Sequence, residues 1–425
     1  MGTQGDYAVL GDGIFYRLAA DKVDFTVPDG VKTIQSCAFE DPIRNKETGL
    51  TSVIINDGCE SISEYAFNDC TLLKKLVIPG SVKTIHSSAV VECPKMETIV
   101  GEYYSAAHAF AIQKGYAFEP MHEETLPAAR YPDLDTEALS FGNNPGLFSG
   151  GYHMTDWAKA MLLDYSQRPE KTAEQAADRW GGSCYGLSIV TVLAAAGLIA
   201  PSDLDPSAET LHDVQPTDQA LSVINYYQML YSLGDTESAV APMQHISDAI
   251  RCAMRYQEGG TPFVLRFARS DGSGHAVVGY GIESGEWEFD GLTYDRCIRT
   301  WDCNYSEQTE KSRFYFDSQT LRWRIPAYGV YYTDKSHFNA MLCPPEGDAL
   351  RINRYGYFDS VPLAGDADLS GTVNTADAVY LTRFVSEQSD LTPITHRGAY
   401  NADADADGIL DLRDARAILR TVAAQ

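Results

Sequence analysis

No stretch of this 425-residue chain holds the run of about 18–20 apolar residues needed to cross a bilayer. Basic side chains are scarce: 33 Lys and Arg stand against 59 Asp and Glu, a formal net charge of −26. That balance argues against a surface for nucleic acid or anionic membrane. The nine cysteines form no CxxC pair and no zinc spacing, and their odd number leaves at least one thiol unpaired within the chain. No disulfide framework follows from them. Cys297 and Cys303 flank an expected strand and are too isolated to offer as ligands. The chain opens Met1-Gly2-Thr3-Gln4-Gly5-Asp6 without a signal-peptide pattern, which we read as a trimmed start and not as a sign of a cytoplasmic protein.

Hydrophobic residues make up 44% of the chain and aromatics 11%, enough to build folded cores. At roughly 100–200 residues per domain the length suggests about three domains. In the first, Leu50, Leu73 and Met96 recur every 23 residues, as do Val53, Leu76 and Ile99. Cys70 and Cys93 keep the same spacing, and an earlier copy at Val27–Phe39 is offset by an insertion around Asn45–Gly49. A fixed period in the twenties marks a solenoid, whose units bury their faces only against their neighbours. Cys70 and Cys93 then read as small apolar repeat positions. The pattern, over about residues 23–100 with a degenerate cap to roughly Pro120, resembles the leucine-rich repeats of bacterial surface proteins. Three to four repeats offer a small face, for binding or as a spacer.

From about Met121 to Gly151, prolines, asparagines and glycines without periodicity read as a linker or entry strap. Helical patterns follow over Met154–Gly197, Asp218–Leu233 and Ile246–Tyr256. Strand patterns come next at Thr261–Phe267, His275–Ile282, Cys297–Cys303, Ser312–Phe316 and Tyr328–Tyr332. Helices first and strands second predict an α+β unit with the two segregated.

Within it, Trp180-Gly181-Gly182-Ser183-Cys184-Tyr185-Gly186 sets one cysteine after a flexible turn and before an apolar run that stops at Gly197. The spacing predicts a buried helix with Cys184 at its N-terminus. Unpaired N–H groups and the helix dipole there favour an anion, and the thiolate is the nucleophilic form. His275, in Gly272-Ser273-Gly274-His275-Ala276-Val277-Val278-Gly279, is carried by an expected strand among small neighbours. Asp302, at the end of the next apolar stretch, is the favoured group to orient the imidazole, with Asn304 as the alternative.

The order Cys184, His275, Asp302, together with Ile224-Asn225-Tyr226-Tyr227-Gln228 and Trp301-Asp302-Cys303-Asn304-Tyr305, resembles a clostridial branch of the papain-like cysteine peptidases over residues 140–345. The resemblance implies a thiolate at Cys184, an acid–base at His275 and an orienting Asp302. It also implies a glutamine oxyanion donor about six residues before the nucleophile. Asp178 stands there instead, and Gln175 is the nearest glutamine. Tyr227 or Gln228 could line the site from a helix that otherwise reads as core.

Near the C-terminus, Asp366, Asp368, Ser370, Asn374 and Asp377 occupy positions 1, 3, 5, 9 and 12 of a calcium loop, with Gly371 at the sharp turn. Asp403, Asp405, Asp407, Asp411 and Asp414 repeat the pattern around Gly408, and Thr372 and Ile409 would offer backbone carbonyls. Each loop is followed by one helix (Ala378–Val385 and Ala415–Val422) with no clear entering helix. The pair resembles a dockerin, the module that anchors cellulosomal proteins to cohesins. That resemblance places partner contacts at Thr375, Ala376, Thr382 and Arg383, and at Leu412, Arg413, Leu419 and Arg420.

The combined expectation is a multidomain α+β protein. A short leucine-rich-repeat solenoid spans 1–120, and a papain-like helix-plus-antiparallel-sheet domain spans 121–360 with a linker at 121–150. An all-α calcium-binding dockerin spans 361–425. The expected function is a secreted, cellulosome-associated cysteine peptidase with two calcium ions, a cohesin partner and protein or peptide substrates. Two other readings use the same residues: a catalytically silent papain-like peptide-binding or adhesion protein, and a Cys-dependent acyltransferase of transglutaminase type.

Overall fold

In a computed structural model the structure describes residues 2–4, 7–18, 23–40, 49–144, 146, 154–166, 171–172, 182–232, 246–268, 274–305, 310–331, 338–341, 356–386 and 393–425. The chain is a mixed α/β protein with an N-terminal β-solenoid. One solenoid sheet runs in the order Ala117–Pro120, Thr98–Gly101, Lys75–Ile78, Ser52–Ile54, Asp24–Thr26, and its strands are parallel. Val53 pairs with Leu76, and Leu76 with Ile99, so the sequence period is the strand register. A second sheet adds Thr33–Ile34, Ser61–Ile62 and Thr84–Ile85 to an antiparallel N-terminal set that ends in Ile14–Leu18.

Between the sheets Phe15, Phe39 and Phe67 stack at 5.1 and 4.8 Å between centroids, one ring per turn. Cys70 donates its S–H to Phe39 O at 3.3 Å, and Cys93 donates to Phe67 O at 2.9 Å. Both thiols therefore serve the stack, as their repeat positions imply. The last coil is closed by the helix Ala106–Lys114, capped by Ser105 and by Gly115 in the left-handed conformation.

The solenoid is not a loose appendage. Tyr104, 2% exposed, shares a core with Ile250, Cys252, Phe314, Phe316 and Trp323 of the following unit. Glu124, from the expected linker, accepts from both the Tyr104 hydroxyl and the Arg296 guanidinium. Arg130 donates to the carbonyls of Tyr256 and Gly260, each at 3.0 Å. The strap from 121 onward is thus fastened by side chains, which is why it shows no periodicity of its own.

The central unit segregates helices from a seven-stranded antiparallel sheet. The strand order is Val330–Tyr331, Trp323–Ile325, Phe314–Phe316, Leu292–Trp301, Gly274–Phe289, Phe263–Ala268, Phe338–Met341. Trp323–Ile325 and Phe338–Met341 are too short for their alternation to be visible in the sequence. The helix Cys184–Ala195 is apolar all round and packs between the helix Asp218–Ser232 and the strand Gly274–Phe289. A Cβ on Gly186 would meet Ile224 O at 2.1 Å, so glycine is required where these two helices meet.

The C-terminal segment packs the helices Thr375–Val385 and Leu412–Ala424 around Ala378, Leu381, Ala402, Ala415 and Ile418. The second acidic loop does have an entering helix, His396–Ala402. This helix is anchored on the central unit. Asp164, at the end of the helix Asp156–Tyr165, accepts from His396 N at 2.6 Å, Arg397 N at 3.1 Å and Arg397 Nε at 2.8 Å.

Candidate active site and acidic loops

Cys184 begins its helix directly after Ser183, whose hydroxyl donates to Asn225 Oδ1 on the adjacent helix. One turn further along that helix, Gln228 Oε1 accepts from Tyr185 N at 3.0 Å and Gly186 N at 3.1 Å. The first turn of an α-helix has N–H groups without intrahelical acceptors. Gln228 satisfies two of them and fixes where the helix, and with it the thiol, begins. Its Oε1 serves as a cap, a role invisible without the packing of the two helices.

His275 sits on the strand Gly274–Phe289, paired with Phe267 on the neighbouring strand, and is 5% exposed. Its Nε2 lies 2.9 Å from Asp302 Oδ1. Asp302 is fully buried just beyond the strand Leu292–Trp301. Its Oδ1 also accepts from Asn304 N at 2.9 Å, and its Oδ2 accepts from the Tyr328 hydroxyl at 2.7 Å. Between Asp302 and Asn304, it is Asp302 that holds Nε2; Asn304 Nδ2 lies 3.5 Å from Nδ1 on the other edge of the ring. Nδ1 is thereby the nitrogen left for the thiol.

The electrostatics follow from this placement. Burial alone would push the His275 imidazole down, but its hydrogen bond to Asp302 and its contact with Cys184 outweigh that and raise it to about 9. Burial would likewise raise the Cys184 thiol, but the hydrogen bond and positive charge of His275 hold it below its ordinary value. Each partner favours the charged form of the other, the arrangement of a thiolate–imidazolium pair. Cys303 lies beside the group, with atoms of His275, Asp302 and Cys303 all within 4.8 Å of one another. Complete burial pushes its thiol well up, so it stays neutral. It is a neighbour of the site, contrary to the isolation its sequence position suggests.

Two groups in this site had no sequence signal. Tyr328, in the turn before Val330–Tyr331, reaches Asp302 and lays its ring 4.9 Å from that of His275. Asn143, from the entry strap, accepts from Ser183 N at 2.7 Å. Gln175 and Asp178 lie outside the described residues.

The two acidic loops share the hydrogen bonds made by their first and last aspartates. Asp377 accepts from Asp368 N and Asn374 N at 3.2 and 2.8 Å, and Asp414 accepts from Asp405 N and Asp411 N at 3.2 and 2.9 Å. Gly371 N and Gly408 N each donate to the first aspartate of their loop at 2.9 Å. Both glycines have φ near +80°, the left-handed turn expected at position 6. Asp366, Asp368 and Asp377 form one group with oxygens within 4.8 Å, and Asp403, Asp405 and Asp414 form the other. Asp377 and Asp414 are completely buried. Asp366 is buried as well, while Asp368 and Asp405 face solvent; in each loop a buried carboxylate lies against like charges, and the all-oxygen donor set fits a hard divalent ion.

A family model for the BspA type leucine rich repeat region matches residues 8–103 in six copies. The repeat thus starts earlier and holds more copies than the period alone reveals, because the first strands pair as an antiparallel hairpin and the insertion around Asn45–Gly49 breaks the period. No curated protein matches the chain, and no solved structure does. No described helix is long and apolar enough to cross a membrane.

Proposed function

We propose that the chain is an extracellular cysteine peptidase that hydrolyses peptide bonds with Cys184, His275 and Asp302. The observation that supports this reading above others is the half-buried Cys184 beside the buried His275–Asp302 pair, with the imidazole raised and the thiol lowered. The Cys184 thiolate attacks the scissile carbonyl carbon, forming the C–S bond and placing the electron pair on oxygen. Collapse expels the amine, protonated by imidazolium His275. Water, deprotonated by His275, then attacks the thioester and releases the acid, while Asp302 keeps the ring aimed.

The C-terminal segment, on this reading, is a dockerin that holds two calcium ions and binds a cohesin. Asp366, Asp368, Ser370, Thr372, Asn374 and Asp377 would hold one ion. Asp403, Asp405, Asp407, Ile409, Asp411 and Asp414 would hold the other. When bound, calcium neutralises and cross-links the carboxylates of each loop. Export follows from the dockerin reading and is compatible with the repeat match.

Iodoacetamide should label Cys184 at neutral pH faster than a free thiol, and His275→Ala should abolish the advantage. Peptide hydrolysis should vanish in Cys184→Ala. Fast labelling without hydrolysis would favour a binding role, and amine incorporation exceeding hydrolysis would favour acyl transfer. No labelling advantage would overturn the catalytic reading.

A further inference from the structure

The nucleophile's turn is clasped from outside its own element. Ser183 N–H donates to Asn143 Oδ1 at 2.7 Å, which fixes the amide: the oxygen faces the turn, and Nδ2 is the other end. The Asn143 backbone N–H donates to Cys303 O at 2.8 Å, pinning the strap to the residue after Asp302. Nδ2 donates to Asn304 Oδ1 at 3.0 Å, and Asn304 in turn stands beside Nδ1 of His275. One carboxamide thus links the residue before Cys184 to Asn304, which itself stands at the thiol-facing edge of the imidazole. Gly182 adopts φ +148°, and a Cβ there would lie 2.8 Å from both amide atoms of Asn143. The missing side chain of Gly182 leaves room for that of Asn143.

When the thiolate adds to a carbonyl, negative charge develops on oxygen beside the nucleophile. It needs two donors. The first turn of the helix offers the Cys184 N–H. We infer that Asn143 Nδ2 is the second oxyanion donor. It carries two hydrogens, and the bond to Asn304 uses one of them while holding the amide plane in place. Asn143 is half-buried, open enough for a substrate carbonyl to reach. The charge appears only in the tetrahedral intermediate, so this donor acts on turnover and not on the resting thiolate.

This inference rests on the peptidase reading, and the experiment separates the two. Alkylation by iodoacetamide forms no oxyanion, whereas peptide hydrolysis does. Asn143→Ala loosens the clasp as well as removing the donor, so the ratio of the two rates is the readout: kcat/KM for a peptide substrate should fall on the order of 10²–10³-fold further than the rate of Cys184 alkylation at the same pH. Asn143→Asp keeps an acceptor for Ser183 N–H and loses the donor. Corrected for thiolate fraction by its own alkylation profile, it should show the same loss. A peptide aldehyde, whose hemithioacetal carries the same oxygen, should bind both variants correspondingly more weakly. Hydrolysis within about threefold of the parent in Asn143→Ala, with Gln175→Ala taking the loss instead, would overturn the assignment and leave the peptidase reading intact. A parallel fall in alkylation and hydrolysis would also overturn it, by making Asn143 a structural clasp alone. A parent enzyme without hydrolysis would overturn both.

Discussion

The Tyr328 hydroxyl donates to Asp302 Oδ2 at 2.7 Å, and the same ring lies 4.9 Å from the imidazole that Asp302 orients. The bond completes a carboxylate whose other oxygen serves His275 and Asn304 N. Burial, followed by the negative charge of Asp302, pushes the Tyr328 phenol far above its ordinary range, so it donates at every working pH. A hydrogen bond to a buried charge contributes about 1.5–3 kcal/mol. Tyr328→Phe keeps the ring and removes that donor. It should lower the melting temperature by a few degrees and hydrolysis by about tenfold, with Tyr328→Ala losing more as water reaches the imidazole. Unchanged melting and turnover in Tyr328→Phe would show that Asp302 is held without it.

The opposed shifts of Cys184 and His275 define a pH window. Thiolate reactivity should rise through a point below the ordinary thiol value of 9.0, and hydrolysis should fall as His275 loses its proton near about 9. The sign for stability is the same. A histidine raised from 6.5 to about 9 by folding contributes stability that is fully present below 6.5 and is lost as pH rises through about 9. Asp302→Asn removes the foremost cause of the rise, so the alkaline limb should move toward neutrality and turnover should drop. An alkaline limb that stays in place in Asp302→Asn would exclude the ion pair as its origin.

The parts of this protein written in local pattern are legible without coordinates. The 23-residue period becomes the register Val53, Leu76, Ile99, and the Gly-Gly-Ser-Cys turn does open a helix at Cys184. The glycines of both acidic loops fall where φ is positive. Groups that act across the chain leave no such trace. Asn143 meets Ser183 from 40 residues upstream, and Tyr328 meets Asp302 from 26 downstream, through a sheet whose intervening strand Trp323–Ile325 is three residues long. The helix His396–Ala402 has Gly and Asn within seven residues and little apolar pattern. Its one local signal is the N-cap Thr395, which accepts from Gly398 N at 3.0 Å, and Asp164, from another unit, adds acceptors for the His396 and Arg397 N–H groups.

Asp164 also predicts how the C-terminal segment moves. Its carboxylate, 7% exposed, pairs with Arg397, and Arg397 further reaches the Tyr165 hydroxyl and Ser360 Oγ. The Trp157 and Tyr400 rings meet tilted, with centroids 5.4 Å apart. Removing one partner of such a buried pair costs several kcal/mol; with Arg397 one-fifth exposed, about 2 kcal/mol is the expected loss. Asp164→Ala should split unfolding into separate transitions for the central unit and the C-terminal segment. Limited proteolysis should then cut between them sooner. A single unshifted transition would mean that the segment is held by other contacts.

The acidic loops carry the sharpest sign. Burial, then the charges of Asp368 and Asp366, raises Asp377 above 3.8. Burial, then Asp407 and Asp414, raises Asp405 likewise, whereas hydrogen bonds from the Arg413 backbone and side chain lower Asp411 and act in the opposite direction. A carboxylate raised by folding contributes stability present below its unfolded value and lost as pH rises through its folded value. In chelator, the C-terminal segment should therefore melt at a higher temperature near about pH 4 than near about pH 7. Calcium should reverse that order: at about 100 times its dissociation constant, each bound ion adds about 2.7 kcal/mol to the folded state, and only ionised carboxylates bind it well. Asp377→Asn removes one charge of the first loop and keeps one acceptor oxygen for Asp368 N or Asn374 N. It should raise the melting temperature in chelator at neutral pH and lower it in calcium. Differential scanning calorimetry in the two buffers reads both effects. Equal melting of parent and variant with calcium present would mean that the first loop holds no ion, and a metal-free parent most stable at neutral pH would mean that its carboxylates do not repel.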